Sequence, residues 1–226
     1  AERSSAGSCM STIAIDGPGS SGKSSVGERV ARELGYAFLD TGLLYRAVTA
    51  AAIRRGAMSD PAAILALAQQ THVNLEQRPV HLLVGDQEFQ PGELESAEVE
   101  RAVPRVAALP DVRAALRGVQ RSAAEFGNAV LAGRDIGTVV LPEATWKFFL
   151  DASAESRGER RSRQRGYALG SPEHASIVAD LSARDFDDRN RIVAPLVAAS
   201  DAQIIVTDQM TLDEVVAEIV SVVQGR

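Results

Sequence analysis

Apolar positions along the chain switch between two periods. Short continuous runs at Ile13-Ala14-Ile15, Tyr36–Leu39, Ala129–Ala132, Trp146–Leu150 and Gln203–Val206 read as five buried strands. Between them apolar residues recur at helical spacing, from Val26 to Leu34 and from Leu43 to about Arg55. Asp60-Pro61 opens another helix, a cap followed by proline in the first turn. The pattern then shortens: Thr71–Leu75, Pro79–Val84 and Gln87–Phe89 predict a small antiparallel β insert over roughly residues 71–92. Glu93–Ala108 and Pro110–Phe126 read as two helices, with Pro104 expected to kink or divide the first. Asp151 is expected to start an arginine-rich helix that ends in a break over Gly166–Pro172. Glu173 to about Arg191 forms the next helix. Asp208 or Thr211 caps a closing amphipathic one with Leu212, Val215, Val216, Ile219 and Val222 inward. Strands alternating with helices predict an α/β fold with a five-stranded parallel sheet and right-handed crossovers.

The first strand leads into Gly17-Pro18-Gly19-Ser20-Ser21-Gly22-Lys23-Ser24, followed by Ser25 and a helix. This is the G-x-x-x-x-G-K-S pattern of a P-loop, in the strand–turn–helix setting the pattern requires. The glycines let the backbone fold tightly and aim its N–H groups at one point, and the helix adds its positive dipole end. Lys23 is then placed to reach the outer phosphates of a nucleoside triphosphate, and Ser24 to ligate magnesium, with Asp40 contributing through water.

Composition narrows the partners. The 226 residues carry 45% hydrophobic and 24% charged residues and a formal net charge of −6. That balance suits a globular domain and argues against non-specific binding to nucleic acid or anionic membrane. No apolar run approaches the ~20 residues of a membrane helix. Cys9, the one cysteine, permits no intrachain disulfide and fits a reducing cytoplasm. Lys23 and Lys147 are the only lysines among 24 basic residues, so arginine supplies nearly all positive charge. Arginine suits bidentate phosphate binding. Arg46, Arg134 and Arg191 fall near expected strand or helix ends as holders of an anionic acceptor. Asp135 leaves a buried strand, where a P-loop protein also places a magnesium-side carboxylate. The row Arg157, Arg160, Arg161, Arg163 and Arg165 reads as a lid over the transferring phosphate. The bland alternative is a solvated face paired with Glu155 and Glu159.

Together the P-loop, Leu39-Asp40-Thr41-Gly42-Leu43-Leu44-Tyr45-Arg46, Pro110-x-Val112-Arg113, Gly133-Arg134-Asp135-Ile136-Gly137-Thr138-Val139-Val140 and Arg184-Asp185-x-x-Asp188-Arg189-Asn190-Arg191-x-x-Ala194-Pro195-Leu196 resemble the bacterial cytidylate kinases over residues 12–223. The resemblance implies a P-loop kinase fold with an enlarged monophosphate-binding insert. It implies transfer of a phosphoryl group from ATP to CMP or dCMP, with magnesium, in a cytoplasmic monomer. Residues 1–11 are then a loose tail and 12–226 one domain: a core over 12–40 and 127–226, an insert over about 41–126 and a lid over about 157–175. Residues 17–25 would bind ATP. Thr41, Tyr45, Arg46, Arg113, Arg134, Asp135, Arg184, Asp188 and Arg191 would bind CMP. Within that set Arg46, Arg134 and Arg191 would take its phosphate, Arg184 and Asp188 its ribose, and Arg113 and Asp135 its base. Lys23, Arg134, Arg157 and Arg161 would serve the transfer itself.

The base-reading pair also makes chemical sense. Cytosine offers acceptors at O2 and N3 and a donor at its N4 amine, while arginine only donates and ionised aspartate only accepts. Uracil reverses both signals. The chain departs from the family pattern in three places: Ala132 stands where an acidic residue is common, Pro104 where a serine commonly faces the base, and Phe186-Asp187 where some relatives have a further arginine. The rival readings are a P-loop kinase for UMP or shikimate, or a nucleotide-binding regulatory protein of weakened activity.

Overall fold

The computed structural model describes residues 11–75, 80–125 and 127–225. The tail over 1–10, the strand start at Pro79 and the helix end at Phe126 lie outside the described residues. In chain order the elements are β1 (Thr12–Asp16), α1 (Lys23–Leu34), β2 (Ala37–Asp40), α2 (Gly42–Arg54), α3 (Pro61–Gln69), β3 (Thr71–Asn74), β4 (His81–Val84), β5 (Gln87–Phe89), α4 (Ala97–Ala107), α5 (Pro110–Glu125), β6 (Ala129–Gly133), β7 (Trp146–Asp151), α6 (Ala154–Arg165), α7 (Pro172–Asn190), β8 (Gln203–Val206) and α8 (Leu212–Gln224). A 3₁₀ turn spans Pro91–Glu95 and a π-helical turn Ile136–Val140.

Five strands form the main sheet in the order β2-β6-β1-β7-β8, and every neighbouring pair is parallel. The α/β expectation holds, and β1 lies at the centre with its carboxyl end flanked by β6 and β7. Crevices of this kind, at the carboxyl ends of parallel strands, are where ligands bind. The second sheet, β3-β4-β5, is antiparallel, as the short strand runs predicted.

Strand residues alternate between two apolar layers. Ile13, Ile15, Val130, Phe148, Leu150 and Ile205 pack on one side with Val26 and Val30 of α1 and Val215, Val216 and Ile219 of α8. Ala14, Leu39 and Leu131 face the other side, in a cluster that runs on through Leu44 and Val48 of α2 to Leu82, Phe89, Val103 and Leu116. The insert between β2 and β6 therefore shares an apolar core with the sheet.

Several boundaries differ from the sequence reading. Ser96 caps α4, so the helix begins after the 3₁₀ turn rather than at Glu93. It continues through Pro104 undivided; the lost N–H there falls in the last turns, where it removes one bond only. Ser153, not Asp151, caps α6. Thr211 caps α8 in a reciprocal box with Glu214, while Leu212 stands exposed.

Candidate active site

The loop after β1 winds around its own N–H groups. Ser20 sits at φ 60° and Gly22 at φ 96°, left-handed positions on either side of the buried Ser21. Such alternation makes an anion-binding concavity, and α1 opens directly behind it. Lys23 Nζ donates to the Pro18 carbonyl at 2.5 Å and to Ser21 Oγ at 3.3 Å. Burial, helped by the nearby Arg134 charge, lowers the Lys23 ammonium to about 7. Ser24 Oγ donates to Asp40 Oδ2 at 2.5 Å, and Asp40 Oδ1 accepts the Gly42 N–H. Ser25, in the first turn of α1, is exposed, as is Ser24.

Two arginines flank this loop. Arg157 Nη1 donates to the Gly19 carbonyl at 3.0 Å, Nε to the Ala152 carbonyl, and Nη2 to Asp185 Oδ2. Arg134 also lies close to Gly19 and is paired with Asp188. Burial first, then Arg184 and Arg191, lower its guanidinium to about 9. Asp188 Oδ1 also holds Arg191 Nη1 at 3.2 Å, while Arg191 Nε donates to the Ala194 carbonyl. Arg191 Nη2 is buried with no hydrogen-bond partner among the described residues, as is Asp185 Oδ1. A buried guanidinium N–H without an acceptor is costly, and an anionic ligand relieves that cost.

The two residues expected to read the base, Arg113 and Asp135, contact each other directly. Arg113 Nη2 donates to Asp135 Oδ2 at 2.6 Å, and Tyr45 lies beneath the guanidinium, 5.5 Å from its ring centre. Burial raises the Tyr45 phenol. Thr41 turns its hydroxyl to the Ala132 carbonyl at 2.9 Å, joining β2 to the end of β6. Pro104, where a serine was expected, sends its carbonyl to the Ala108 N–H within α4. Arg184 on α7 feels Arg46, Arg161 and Glu100, and burial with the Arg46 charge lowers its proton affinity. Arg46 and Arg161 do not join the P-loop group. Arg46 Nη1 donates to the Leu94 carbonyl, and both side chains approach Glu100.

Three acids went unassigned in the sequence reading. Asp16, at the end of β1, accepts the Ile136 and Gly137 N–H groups, each at 2.7 Å, and so fixes the turn that carries Asp135. A lone acid ending an apolar strand was its only signal. Asp185 holds Arg157, and Glu100 gathers arginines from two helices; nothing in their local sequence marks either role.

Oxygen donors dominate the Ser24–Asp40 corner, and no group of three or more His, Cys, Asp or Glu suited to a metal occurs among the described residues. Such a corner fits magnesium, which takes one or two protein oxygens beside phosphate and water rather than a full protein cage.

Comparison with known proteins agrees with this geometry. The family model described as cytidylate kinase matches residues 13–225. The chain is 42% identical over 214 residues to a cytidylate kinase of Nocardia farcinica, covering 93% of this chain and 92% of that one. It is 42% identical over 213 residues to one of Azorhizobium caulinodans, covering 94% and 97%. Among solved structures, a shikimate kinase of Bacteroides thetaiotaomicron superposes with a TM-score of 0.52 at 16% identity over 96% of this chain and 99% of that one, a likeness of fold alone. With a family model matched over nearly the whole chain and relatives 42% identical across it, the chain belongs to the cytidylate kinase family.

Proposed function

We propose that the chain transfers the γ-phosphoryl group of ATP to CMP or dCMP, giving ADP and the diphosphate. The observation that carries this reading is the meeting of a P-loop with Arg134 and Arg157 beside a buried donor–acceptor pair, Arg113 and Asp135. The loop amides and Lys23 hold the triphosphate. Ser24, and Asp40 through water, would hold magnesium, which when bound neutralises charge on the outer phosphates. Arg46, Arg134 and Arg191 grip the acceptor phosphate, and Arg184 with Asp188 the ribose. Arg113 donates to O2 and N3 of cytosine, and Asp135 accepts from its amine. Thr41 and Tyr45 line the acceptor side. The acceptor phosphate is already anionic at neutral pH, so no general base is assigned; positioning and charge neutralisation lower the barrier.

Arg157 and Arg161 ride on the lid, about residues 157–175, which closes toward the insert over about 41–126. Substrate closure of this kind excludes water from the transfer. Only Arg163 of the arginine row pairs with an acid of its own helix, Glu159, which supports a lid over a plain solvated face. No helix of the described residues is long and apolar enough to cross a membrane. We place the protein in the cytoplasm as a monomer, with no nucleic-acid partner.

A coupled assay of ADP release with CMP, dCMP, UMP, AMP and GMP tests the reading. Turnover led by CMP and dCMP supports it. Turnover led by UMP overturns the base pair's role, and ATP binding without any turnover makes the chain a non-catalytic binder.

A further inference from the structure

Glu100, on α4, is the meeting point of three arginines. Its carboxylate accepts from Arg161 and Arg165 of α6, and Arg46 Nη2 of α2 lies 3.5 Å from its Oε1. Arg184 of α7 feels the same carboxylate. Burial opposes its ionisation, but Arg161, then Arg165 and Arg46, hold it below the usual carboxylate range. One negative charge thus faces four guanidinium groups. A cleft of about 420 Å³ opens beside it, lined by Glu95, Glu100, Arg161, Gln164 and Arg165.

Two of these arginines, Arg46 and Arg161, are the ones assigned above to the acceptor phosphate and the transferring group; the inference rests on that reading. We propose that Glu100 competes with the acceptor's phosphate for Arg46, and with the phosphoryl group in transfer for Arg161, and so sets how tightly an acceptor binds. A phosphomonoester carries ~−1.5 to −2 at neutral pH and three strong acceptor oxygens, against one charge and two oxygens on the carboxylate. The phosphate therefore wins Arg46, and a nucleoside without it does not. Arg165, outside the phosphate set, keeps Glu100 as it withdraws, so the displaced carboxylate is never left unpaired. An acceptor that takes Arg46 must separate it from Glu100; a phosphate-bearing one does so and recovers the cost, while a nucleoside leaves the ion pair in place. This is the arithmetic of a site whose competent form is fractionally populated.

Calorimetric binding of CMP and of cytidine to Glu100→Gln tests the proposal. CMP should bind about two- to fivefold more tightly than to the wild type, the gain expected when a competing ion pair worth about one surface contact is removed. Cytidine, which never displaces Glu100, should bind both forms alike. No gain for CMP overturns the proposal. An equal gain for CMP and cytidine also overturns it, because that marks general loosening of the cleft. Glu100→Ala gives the same readout should the amide variant fail to fold. A wild type that binds but does not phosphorylate CMP would remove the functional reading alone. Competition would then be read with inorganic phosphate, whose tighter binding to Glu100→Gln supports the proposal and whose equal binding sinks it.

Discussion

Arg113 of α5 donates to Asp135 across 2.6 Å, and with side chains 6% and 12% exposed the pair is nearly closed to water. The contact sets a cationic donor next to an anionic acceptor, spaced by their own hydrogen bond, as the proposed reading of cytosine requires. Arg113 is further fixed by the Ala107 carbonyl and by Tyr45. Asp135→Ala removes the acceptor for the cytosine amine and the conflict with uracil O4. Each unpaired buried polar group costs ~1–3 kcal/mol, so the preference for CMP over UMP should shrink by roughly tenfold or more. Breaking a buried pair also destabilises by ~3–5 kcal/mol, so Asp135→Asn serves as the milder companion. The measurement is the ratio of kcat/KM for the two acceptors; an unchanged ratio refutes the base-reading role.

Lys23 makes its contacts inside its own loop, to Pro18 and Ser21. Its removal should leave the sheet and its two apolar layers intact while taking away the cation proposed to reach the outer phosphates. Loss of one such electrostatic contact commonly costs ~10²–10³ in kcat. Lys23→Ala should therefore show a native circular dichroism spectrum with turnover reduced on that scale. Near-normal turnover would remove Lys23 from the mechanism.

The main sheet, the insert strands and the P-loop were legible because each rests on local signals: apolar period, turn residues and caps. Asp60 accepts from Ala62 and Ala63 as its sequence predicts, and Thr211 and Glu214 cap each other. Side chains that act across the fold left no such trace. Glu100 meets Arg161 and Arg165, 61 and 65 positions away, and Asp208 accepts from Ser153 to fix the start of α6 rather than that of α8. The start of α4 was misplaced because Leu94 is fully buried, yet it lies in a 3₁₀ turn that an apolar period does not separate from a helix. Asp16 escaped notice because its partners are backbone N–H groups of a π-helical turn. No residue type forecasts such a turn.

Gly17 tests the loop's backbone. A Cβ there would lie 2.2 Å from the Leu150 carbonyl oxygen, at a φ of 149°. Neither yields easily, since the carbonyl belongs to β7 and Gly17 directly follows the end of β1. A Cβ on Gly19 would meet the tips of two side chains, Arg134 at 3.4 Å and Leu181 at 3.7 Å. Gly17→Ala should lose at least ~1–3 kcal/mol of stability, and Gly19→Ala little. Denaturant titration of both variants decides it; equal losses would mean that the β1–β7 crossing is not what demands glycine.

Asp16 ties the P-loop strand to the acceptor turn and carries a pH signature. It is 4% exposed. Burial above all, with Asp135 adding, raises its carboxyl from 3.8 to about 6, against the opposing pull of the Gly137 and Ile136 N–H groups and of Lys23. The folded chain therefore binds a proton that the unfolded chain has released between about pH 4 and 6. Stability from this group is fully present below about pH 4 and is lost as pH rises through 6, a span worth on the order of 3 kcal/mol at most. Asp16→Asn does not titrate. Its amide can accept from only one of the two N–H groups, so it should sit below the wild type at pH 4, and the gap should narrow toward pH 7. Thermal unfolding of both proteins over that range measures the gap, and parallel curves would mean that Asp16 stays ionised throughout. The freed N–H also loosens the turn bearing Asp135, so KM for CMP should rise in Asp16→Asn while KM for ATP holds. A rise in both would make Asp16 part of the P-loop's own support rather than a positioning residue for the acceptor.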